Sequence, residues 1–362
     1  METPTPTPTK WQKTFFTLWS AQAVSLLGSG VAGFALVWWL TVKTGSATVL
    51  ATATLVSQLP GIALGPIAGA LVDRFSRRRV IMLADGSVAL VSAWLAYLFW
   101  TGAMQPWHVA VTMVVRAIGG CFHWPAMQAS TSLMVPKEHL SRVAGMNQTL
   151  QGAINIASPI LGALLLSVTP LHTIMGLDVA TALLAVTPLL FMALPEPAAG
   201  MASAGTSVWR DLHAGLIYVT SWAGLRALLI MSTLVNLLLT PAFTLMPILV
   251  TKHFLGGAPQ LAAMETAFGI GILAGGLLLS AWGGFRRRIL TSLVGLLGIG
   301  LGTLLIGLAP ASQLPLAMAG MFVCGLSIPI TNGPVFAILQ TAVAPEMQGR
   351  VFTLLMSASA AA

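Results

Sequence analysis

The chain has 362 residues, of which 56% are hydrophobic and only 7% are charged, and its mean hydropathy is +0.88. Soluble domains carry about 25% charged residues, so this chain has too little polar surface for a water-soluble fold. A net charge of +8 would suggest a nucleic-acid partner in a soluble protein. Here the basic residues lie in short links between long apolar stretches, which indicates a membrane protein and no nucleic-acid partner.

The chain reads as a series of membrane-spanning helices behind a short polar tail. The Thr/Pro-rich residues 1–13 predict a disordered cytoplasmic tail without the apolar core of a signal peptide. Apolar stretches then recur at the length of a spanning helix, about 20 residues. Because they do not alternate as barrel strands do, they predict helices. We expect eleven spans, near residues 14–41, 48–72, 80–100, 107–134, 143–168, 173–194, 223–250, 260–283, 289–308, 314–340 and 350 to the end.

The basic residues predict the orientation of these spans. With the N-terminus in the cytoplasm, 14 of the 17 Lys and Arg residues lie on the cytoplasmic side. Only Lys43 and Lys252 lie outside, and Arg116 lies within a span. Lys and Arg are enriched in cytoplasmic loops, so we expect a multi-pass membrane protein whose N-terminus is cytoplasmic.

The spans divide into two halves. Residues 14–194 predict one six-helix bundle, residues 195–222 a cytoplasmic linker, and residues 223–362 a second bundle. The first part of the linker is rich in Ala, Gly, Ser and Pro and should be flexible. Its second part, residues 208–222, fits either an amphipathic helix on the inner membrane surface or a continuation of the seventh span.

Two landmarks indicate that the halves are repeats. Arg79 and Arg288 end similar basic loops 209 positions apart, and Arg142 and Arg350 follow similar proline-containing links 208 positions apart. Many transporters are built from two repeated bundles of the same orientation. A complete second unit would extend beyond about residue 400, so we expect Ala362 to lie early in span eleven of a twelve-span protein, with about 10–11 spans present.

Several motifs resemble one family. The stretch GALVDRFSRR, from Gly69 to Arg78, resembles the major facilitator superfamily signature between spans two and three, with Ser76 at a usual glycine position. Other stretches of interest begin at Pro125, Ser158, Leu225, Gly269 and Pro345. These are similar to the branch that includes macrolide efflux proteins and the enterobactin exporter. The resemblance implies an all-α major facilitator fold of two six-helix bundles in the bacterial inner membrane.

The resemblance also implies roles for individual residues. In the superfamily, the loop after span two is a conformational latch against span eleven, and the matching residues here are Gly69, Asp73, Arg74, Arg77 and Arg78. Orientation by positive charge explains the three arginines equally well, but it does not explain the aspartate.

Two further motifs lie within spans. Arg116 begins a stretch that resembles the span-four motif linked to proton coupling. A degraded antiporter motif in span five comprises Gly145, Ser158, Pro159 and Gly162. Ordinary packing of small residues explains these four positions equally well.

Charged residues within the spans are the candidates for proton coupling. Arg116 lies near mid-depth, where an unpaired cation is costly, so it should face a partner or a cavity. Asp85, Asp178 and Glu265 are candidate proton sites because low dielectric favours a protonated carboxyl group. The alternatives are that Asp85 pairs with the basic loop and that Asp178 and Glu265 snorkel to the outer surface.

A cargo cavity is expected between the halves, with His123 as a pH-sensitive neighbour. Contact with lipid or with other helices is the alternative for each apolar candidate. No phosphate-binding loop, metal-ligand cluster or nucleophile motif occurs, so we predict no cofactor, no metal and no enzymatic activity. The cavity candidates are Trp38, Trp39, Phe122, Trp124, Phe243 and Met246.

The function predicted from these features is proton-coupled efflux of a hydrophobic or amphipathic small molecule, either a drug or a siderophore-like compound. Its partners would be that cargo, protons and the bilayer. Uptake of a nutrient or movement of a lipid by the same fold is the alternative within transport. A membrane-embedded enzyme or a sensor is disfavoured because the sequence has neither clustered catalytic residues nor an appended soluble domain.

Overall fold

A computed structural model describes residues 8–72, 75–192 and 217–343. Within these residues, ten helical segments are long and apolar enough to cross a membrane, and they coincide with the first ten predicted spans. This confirms the expected all-α membrane architecture. The eleventh predicted span lies outside the described residues.

Each half consists of long helices joined by short links. In the N-terminal half these are α1 Pro8–Thr44, α2 Ala47–Val72, α3 Arg77–Thr101, α4 Pro106–Met134, α5 Leu140–Val168 and α6 Leu171–Phe191. A single 3₁₀ turn, Lys137–His139, precedes α5. The C-terminal half contains α7 Ala223–Thr244, α8 Met246–Lys252, α9 Ala258–Trp282, α10 Arg288–Leu308 and α11 Leu314–Ala342.

The seventh span is interrupted between α7 and α8. Pro247 lies in the first turn of α8, where its missing N–H would have no partner in any case. The helix therefore restarts at Met246, directly after Leu245.

The predicted disordered tail is wrong for residues 8–13, which form the first turns of α1. Trp11 packs against Phe15 at a ring-centroid distance of 6.4 Å and stacks on His139 at 5.4 Å. These contacts join the start of α1 to the link before α5. Burial of the indole stabilises helix where composition alone indicated an extended chain.

Helix α1 lies at the centre of the N-terminal half. It contacts α2, α4, α5 and α6, while α3 packs against α4 and α6. One apolar cluster around Leu18 and Ile81 lies towards the end where α3 and α5 begin, which we call the basic end because Arg77–Arg79 and Arg142 lie there. A second cluster around Leu40 and Leu95 lies towards the opposite end. The centre of the half, between these clusters, is where polar side chains can meet.

Glycines bring the helices of the C-terminal half close together. Gly271 and Gly275 of α9 face the backbone of Phe322 and Leu326 in α11, where no Cβ would fit. The two halves meet where α5 packs against α9, with Gly269 against Ile156. Small residues at helix interfaces permit this approach in membranes, where packing drives association.

The helix ends reproduce the repeat. Helices α2 and α9 end at Val72 and Trp282, before the two basic loops, and α4 and α11 end at Met134 and Ala342. Residues 193–216 of the predicted linker lie outside the described residues. Residues 217–221 are helical, and Val219 is buried with Leu225 and Leu339.

The close approach of α9 and α11 predicts unequal effects at two adjacent glycines. In Gly275→Ala the new methyl group would overlap the backbone oxygen of Leu326, which cannot rotate away. We expect a loss of about 1–3 kcal/mol in stability, seen as a lower midpoint of thermal unfolding in detergent. Gly276→Ala is the matched control, because nothing lies within 4 Å of its added Cβ. Equal midpoints for the two variants would contradict the packing.

Candidate functional site

A buried ion pair joins four helices of the N-terminal half. The Nη1 atom of Arg116 in α4 lies 2.6 Å from Oδ2 of Asp178 in α6. The same carboxylate accepts hydrogen bonds from Ser29 Oγ of α1 at 2.9 Å and from Ser92 Oγ of α3 at 2.6 Å. The Nη2 atom of Arg116 donates to the backbone oxygen of Ser29 at 3.0 Å. Both charges are therefore compensated.

Asp178 is therefore the partner that we expected for Arg116, because an unpaired cation near the middle of the membrane is costly. Asp178 is completely buried. It lies seven residues after the start of α6, or about 10 Å along the helix axis. The alternative in which Asp178 snorkels to the outer surface is therefore wrong, because its side chain points to α1, α3 and α4 instead.

A second polar cluster joins Asp85 of α3, Gln22 of α1 and His123 of α4. Gln22 Nε2 donates to Asp85 Oδ2 at 2.7 Å. His123 Nε2 lies 3.3 Å from Asp85 Oδ1 and 3.0 Å from Gln22 Oε1. Both of these oxygens are acceptors, so the contacts fit the tautomer that carries hydrogen on Nε2. Within the described residues, Asp85 thus pairs with a histidine inside the bundle and not with the basic loop.

A cavity of about 460 Å³ lies beside this cluster, between α1, α4 and α5. It lies towards the basic end, where α4 ends and α5 begins. Its volume is within the range of pockets for drug-sized ligands, about 300–1,000 Å³. His123 is the ionisable side chain among its described lining residues. The polar and aromatic wall consists of Gln22, Gln128, Asn147, Gln148 and Gln151 with Trp19 and Trp124.

Of the six aromatic and Met candidates for the cavity, the structure places Trp124 on its wall. Trp39 instead packs edge-on against Phe99 at 5.3 Å, and Phe122 lines a separate groove between α3 and α4. Trp39 and Phe122 therefore do not line this cavity, and their role in binding cargo stays a prediction. An aromatic ring on an apolar helix is buried wherever a neighbouring helix offers apolar contact.

The other three candidates lie where the two halves meet. Trp38, Phe243 and Met246 belong to an apolar cluster that joins α1 to the C-terminal half. Phe243 packs against Phe268 at 5.3 Å. These side chains are in the core of the junction and do not line the amide-rich cavity.

Two arginines of the expected latch donate to backbone oxygens of other helices. Arg77 Nη1 donates to the backbone oxygen of Ala129 in α4 at 2.8 Å, and Arg78 Nη2 to that of Leu190 in α6 at 2.7 Å. The carbonyl group of Leu190 lies in the last turn of α6, where carbonyl groups lack helical partners and attract cations, whereas that of Ala129 lies inside α4 and accepts the Arg77 bond in addition to its helical position. These two arginines thus join α3 to α4 and α6. Gly69 lies on α2, whereas Asp73 and Arg74 lie outside the described residues, so the latch remains a prediction.

The span-five motif forms close contacts between α1 and α5. Ser158 faces Gly30, and Gly162 faces the ring of Phe34. Pro159 lies inside α5, whereas the space around Gly145 is open. Small-residue packing therefore has direct structural support at Ser158 and Gly162, and the role in antiport stays a prediction.

Glu265 differs from the other two acids in spans. It lies on α9 and is half-buried, and it forms no hydrogen bond or ion pair with any described residue. Its role as a proton site also stays a prediction.

Sequence reasoning missed the carboxamides of the cavity wall because it considered only ionisable, aromatic and methionine side chains within the spans. Asn147, Gln148 and Gln151 lie within one turn of one another on α5. Amide side chains at this spacing mark one polar face of an otherwise apolar helix. This pattern in the sequence could have predicted the polar wall of the cavity.

Comparison with known proteins places this arrangement in a family. The sequence model of the Major Facilitator Superfamily matches residues 18–362. The chain belongs to this superfamily. The solved structures support the fold: the D-xylose-proton symporter has a TM-score of 0.70 and 14% identity, covering 96% of this chain and 87% of that one. The nucleoside transporter NupG has a TM-score of 0.67 at 12% identity, covering 96% and 88%.

Curated relatives point to export. Macrolide efflux protein A of Streptococcus pyogenes is 35% identical over 344 residues, covering 95% of this chain and 85% of the relative. That of Enterococcus faecalis is 34% identical over 310 residues, covering 86% and 96%. The multidrug efflux pump Tap of Mycobacterium bovis is 26% identical over 366 residues, covering 96% and 84%. The expected class, an efflux transporter of this superfamily that resembles the macrolide-efflux branch, is confirmed.

The four-helix ion pair predicts a strong coupling between two substitutions. Asp178→Asn leaves a buried guanidinium without its counter-charge, and Arg116→Met leaves a buried carboxylate. Removing one partner of a buried pair costs about 3–5 kcal/mol, so both variants should unfold at much lower temperature. In the double variant neither charge remains, so its loss should be clearly smaller than the sum of the two.

Glu138→Gln, at an exposed position of the 3₁₀ turn, is the control for loss of a carboxylate. Unfolding midpoints of the purified variants test the prediction. Additive losses in the double variant would show that the pair does not stabilise the bundle.

Proposed function

We propose that the chain is a proton-coupled exporter of macrolide-like compounds, which it binds in the amide-lined cavity. The observation that carries this proposal is the composition of the wall, which combines five carboxamides with the indoles of Trp19 and Trp124. Carboxamides donate and accept hydrogen bonds, so they suit hydroxyl, ether and carbonyl oxygens. Indole faces suit the apolar side of the same molecule.

The relatives named macrolide efflux protein A support this class of cargo. Trp19 Nε1 donates to Asn147 Oδ1 at 2.8 Å, so one indole is already oriented by an amide of the wall. A preorganised wall lowers the entropic cost of binding.

The position of the cavity fits loading from the cytoplasm, and the direction of export is inferred from the efflux relatives. The cavity lies at the basic end, which the positive-inside rule assigns to the cytoplasm, together with the N-terminus. Cargo would thus enter from the cytoplasm or from the inner leaflet of the bacterial inner membrane. Rocking of the two halves about the contact between α5 and α9 would then expose it to the outside.

Protons moving inward would supply the energy for export. Asp85, Asp178 and Glu265 are the carboxyl groups within the described spans. Protonation removes a charge from a low-dielectric site and thereby shifts the balance between conformations. Members of the family are transporters, and we infer that this chain likewise acts without catalysis.

Uptake of a nutrient is the second candidate. The solved structures include a D-xylose-proton symporter and a nucleoside transporter, but at 14% and 12% identity they support the fold alone. The efflux relatives, at 34–35% identity, favour export.

Transport into inside-out membrane vesicles tests the function. With an acidic lumen, vesicles that contain the chain should accumulate radiolabelled erythromycin, because protons leaving the lumen exchange for cargo entering it. Vesicles without the chain should show only the passive trapping of a weak base in an acidic lumen. Vesicles with the chain should accumulate clearly more erythromycin than these, and a protonophore should abolish the difference. Accumulation that persists without the gradient would remove proton coupling. Accumulation of labelled D-xylose in right-side-out vesicles with an acidic exterior would instead favour uptake of a nutrient.

The cavity wall predicts different effects at two exposed tryptophans. Trp124 is 52% exposed and lines the cavity, whereas Trp100 is 72% exposed near the end of α3 and does not line it. Loss of an aromatic contact costs about 0.5–1.5 kcal/mol, or about two- to tenfold in Kd. We therefore expect Trp124→Ala to weaken erythromycin binding by that factor, and Trp100→Ala to leave it unchanged. Equal Kd values for wild type and Trp124→Ala would place the cargo elsewhere.

A further inference from the structure

We propose that the Asp85–His123 pair, bridged by Gln22, is the site at which a proton and a cationic group of the cargo compete. The inference rests on the proposed proton-coupled efflux and names both its proton site and the charge of its cargo. The cargo class is an oxygen-rich amphiphile that carries one protonated amine.

The Arg116–Asp178 pair is unsuited to this exchange. Asp178 is completely buried, and its carboxylate is occupied by the guanidinium and by two serine hydroxyl groups. An arginine keeps its charge at every physiological pH. A proton that neutralised Asp178 would therefore leave an uncompensated cation in the bundle, which is costly.

The Asp85–His123 pair is open to the cavity on one side. His123 lines the cavity, and 14% of its side-chain surface is accessible, whereas Asp85 lies behind it. The Nε2 atom of His123 faces Asp85 and Gln22, and its Nδ1 atom makes no hydrogen bond with a described residue. Water in the cavity can reach Nδ1. Imidazole is the side chain that ordinarily changes charge between about pH 5 and pH 8.

The charges of the pair account for the competition. With neutral His123 and ionised Asp85, the pair carries one negative charge. A proton that binds Nδ1 makes the pair neutral and leaves the Nε2–H hydrogen bonds in place. The negative pair attracts a protonated amine, which can donate to Nδ1. The neutral pair presents an imidazolium to the cavity and repels the amine, so one proton replaces one cationic group.

Few other charges act on this pair. The remaining described residues of the cavity wall are uncharged. The Arg116–Asp178 pair lies two helical turns from His123 along α4, about 10 Å away, and is neutral overall. The described spans that pack around the pair carry these further charged or titratable groups: Arg77, Arg78, Arg79 and Tyr97 on α3, His108 and Cys121 on α4, and His172 on α6, while α1 between Lys13 and Lys43, and α5 after Arg142, carry none. The three arginines begin α3 and lie about 9–12 Å from Asp85 along the helix axis.

Binding of two probes at two pH values tests the proposal with the purified full chain. The cationic probe is radiolabelled erythromycin, whose amino sugar is protonated. The neutral probe is a derivative in which the same amine is acylated. Wild-type protein should bind the cationic probe about tenfold more tightly at about pH 8 than at about pH 6, within the usual range of coupling between two ligands. The neutral probe should show no such dependence.

Two variants test the two groups of the pair separately. His123→Gln keeps a hydrogen-bonding side chain and should abolish the pH dependence of erythromycin binding, whatever its absolute affinity. Asp85→Asn keeps His123 but removes the negative charge of the pair, so it should weaken binding of erythromycin at about pH 8. His172→Gln is the matched control. His172 lies at the start of α6, away from the basic end, and does not line the cavity. This variant should therefore keep the wild-type pH dependence of erythromycin binding.

The number of protons released on binding can be measured directly. In weakly buffered solution near neutral pH, binding of erythromycin to wild-type protein should release up to one proton per molecule bound, and binding to His123→Gln should release none. The neutral probe should release none from either protein. Because the comparison needs only wild-type protein and His123→Gln, it tests the proposal even if Asp85→Asn does not fold.

The outcomes separate the two proposals. Wild-type pH dependence in His123→Gln, or equal dependence for the cationic and neutral probes, would overturn the competition at Asp85–His123 while gradient-driven export stands. Failure of wild-type vesicles to accumulate erythromycin against a gradient would overturn the proposed efflux itself, whatever the binding data show.

Discussion

A positive charge near the middle of the membrane must be compensated, and the N-terminal half is organised around that requirement. Arg116 on α4 is compensated by Asp178 on α6, and the hydroxyl groups of Ser29 on α1 and Ser92 on α3 complete the bonds of the carboxylate. Four helices thus meet at one polar point. Because lipid offers no alternative partner for these groups, the pair determines how the four helices are rotated about their axes.

That rotation positions the second cluster. Gln22, Asp85 and His123 occupy α1, α3 and α4, three of the same four helices, but lie closer to the basic end. The difference between the clusters is access. Asp178 is enclosed on every side, whereas His123 lies on a cavity wall. The two carboxylates therefore suit different roles. That of Asp178 suits holding helices together, whereas that of Asp85 suits the exchange of ligands.

The C-terminal half is held together in a different way. Its described interfaces depend on glycines that bring backbones together, as where Gly271 and Gly275 meet α11. Contacts of this kind have little directional preference, in contrast to an ion pair with two serine ligands. The N-terminal half is thus joined by polar side chains, and the C-terminal half by close packing of backbones. This difference suits a transporter in which one bundle moves against the other across the contact between α5 and α9.

The amino-acid sequence by itself determined the architecture of this protein. Apolar length predicted ten spans that the structure contains, and the two basic loops predicted the repeat, because both features are local and additive along the chain. It also indicated that Arg116 needs a partner, since the cost of burying a charge does not depend on the fold. Only the tertiary structure decided which partner that is, and it joined Asp85 to His123, 38 positions away. It also placed carboxamides on the wall of the cavity and Trp39 and Phe122 away from that wall, because the direction in which a side chain points depends on how each helix is turned against its neighbours.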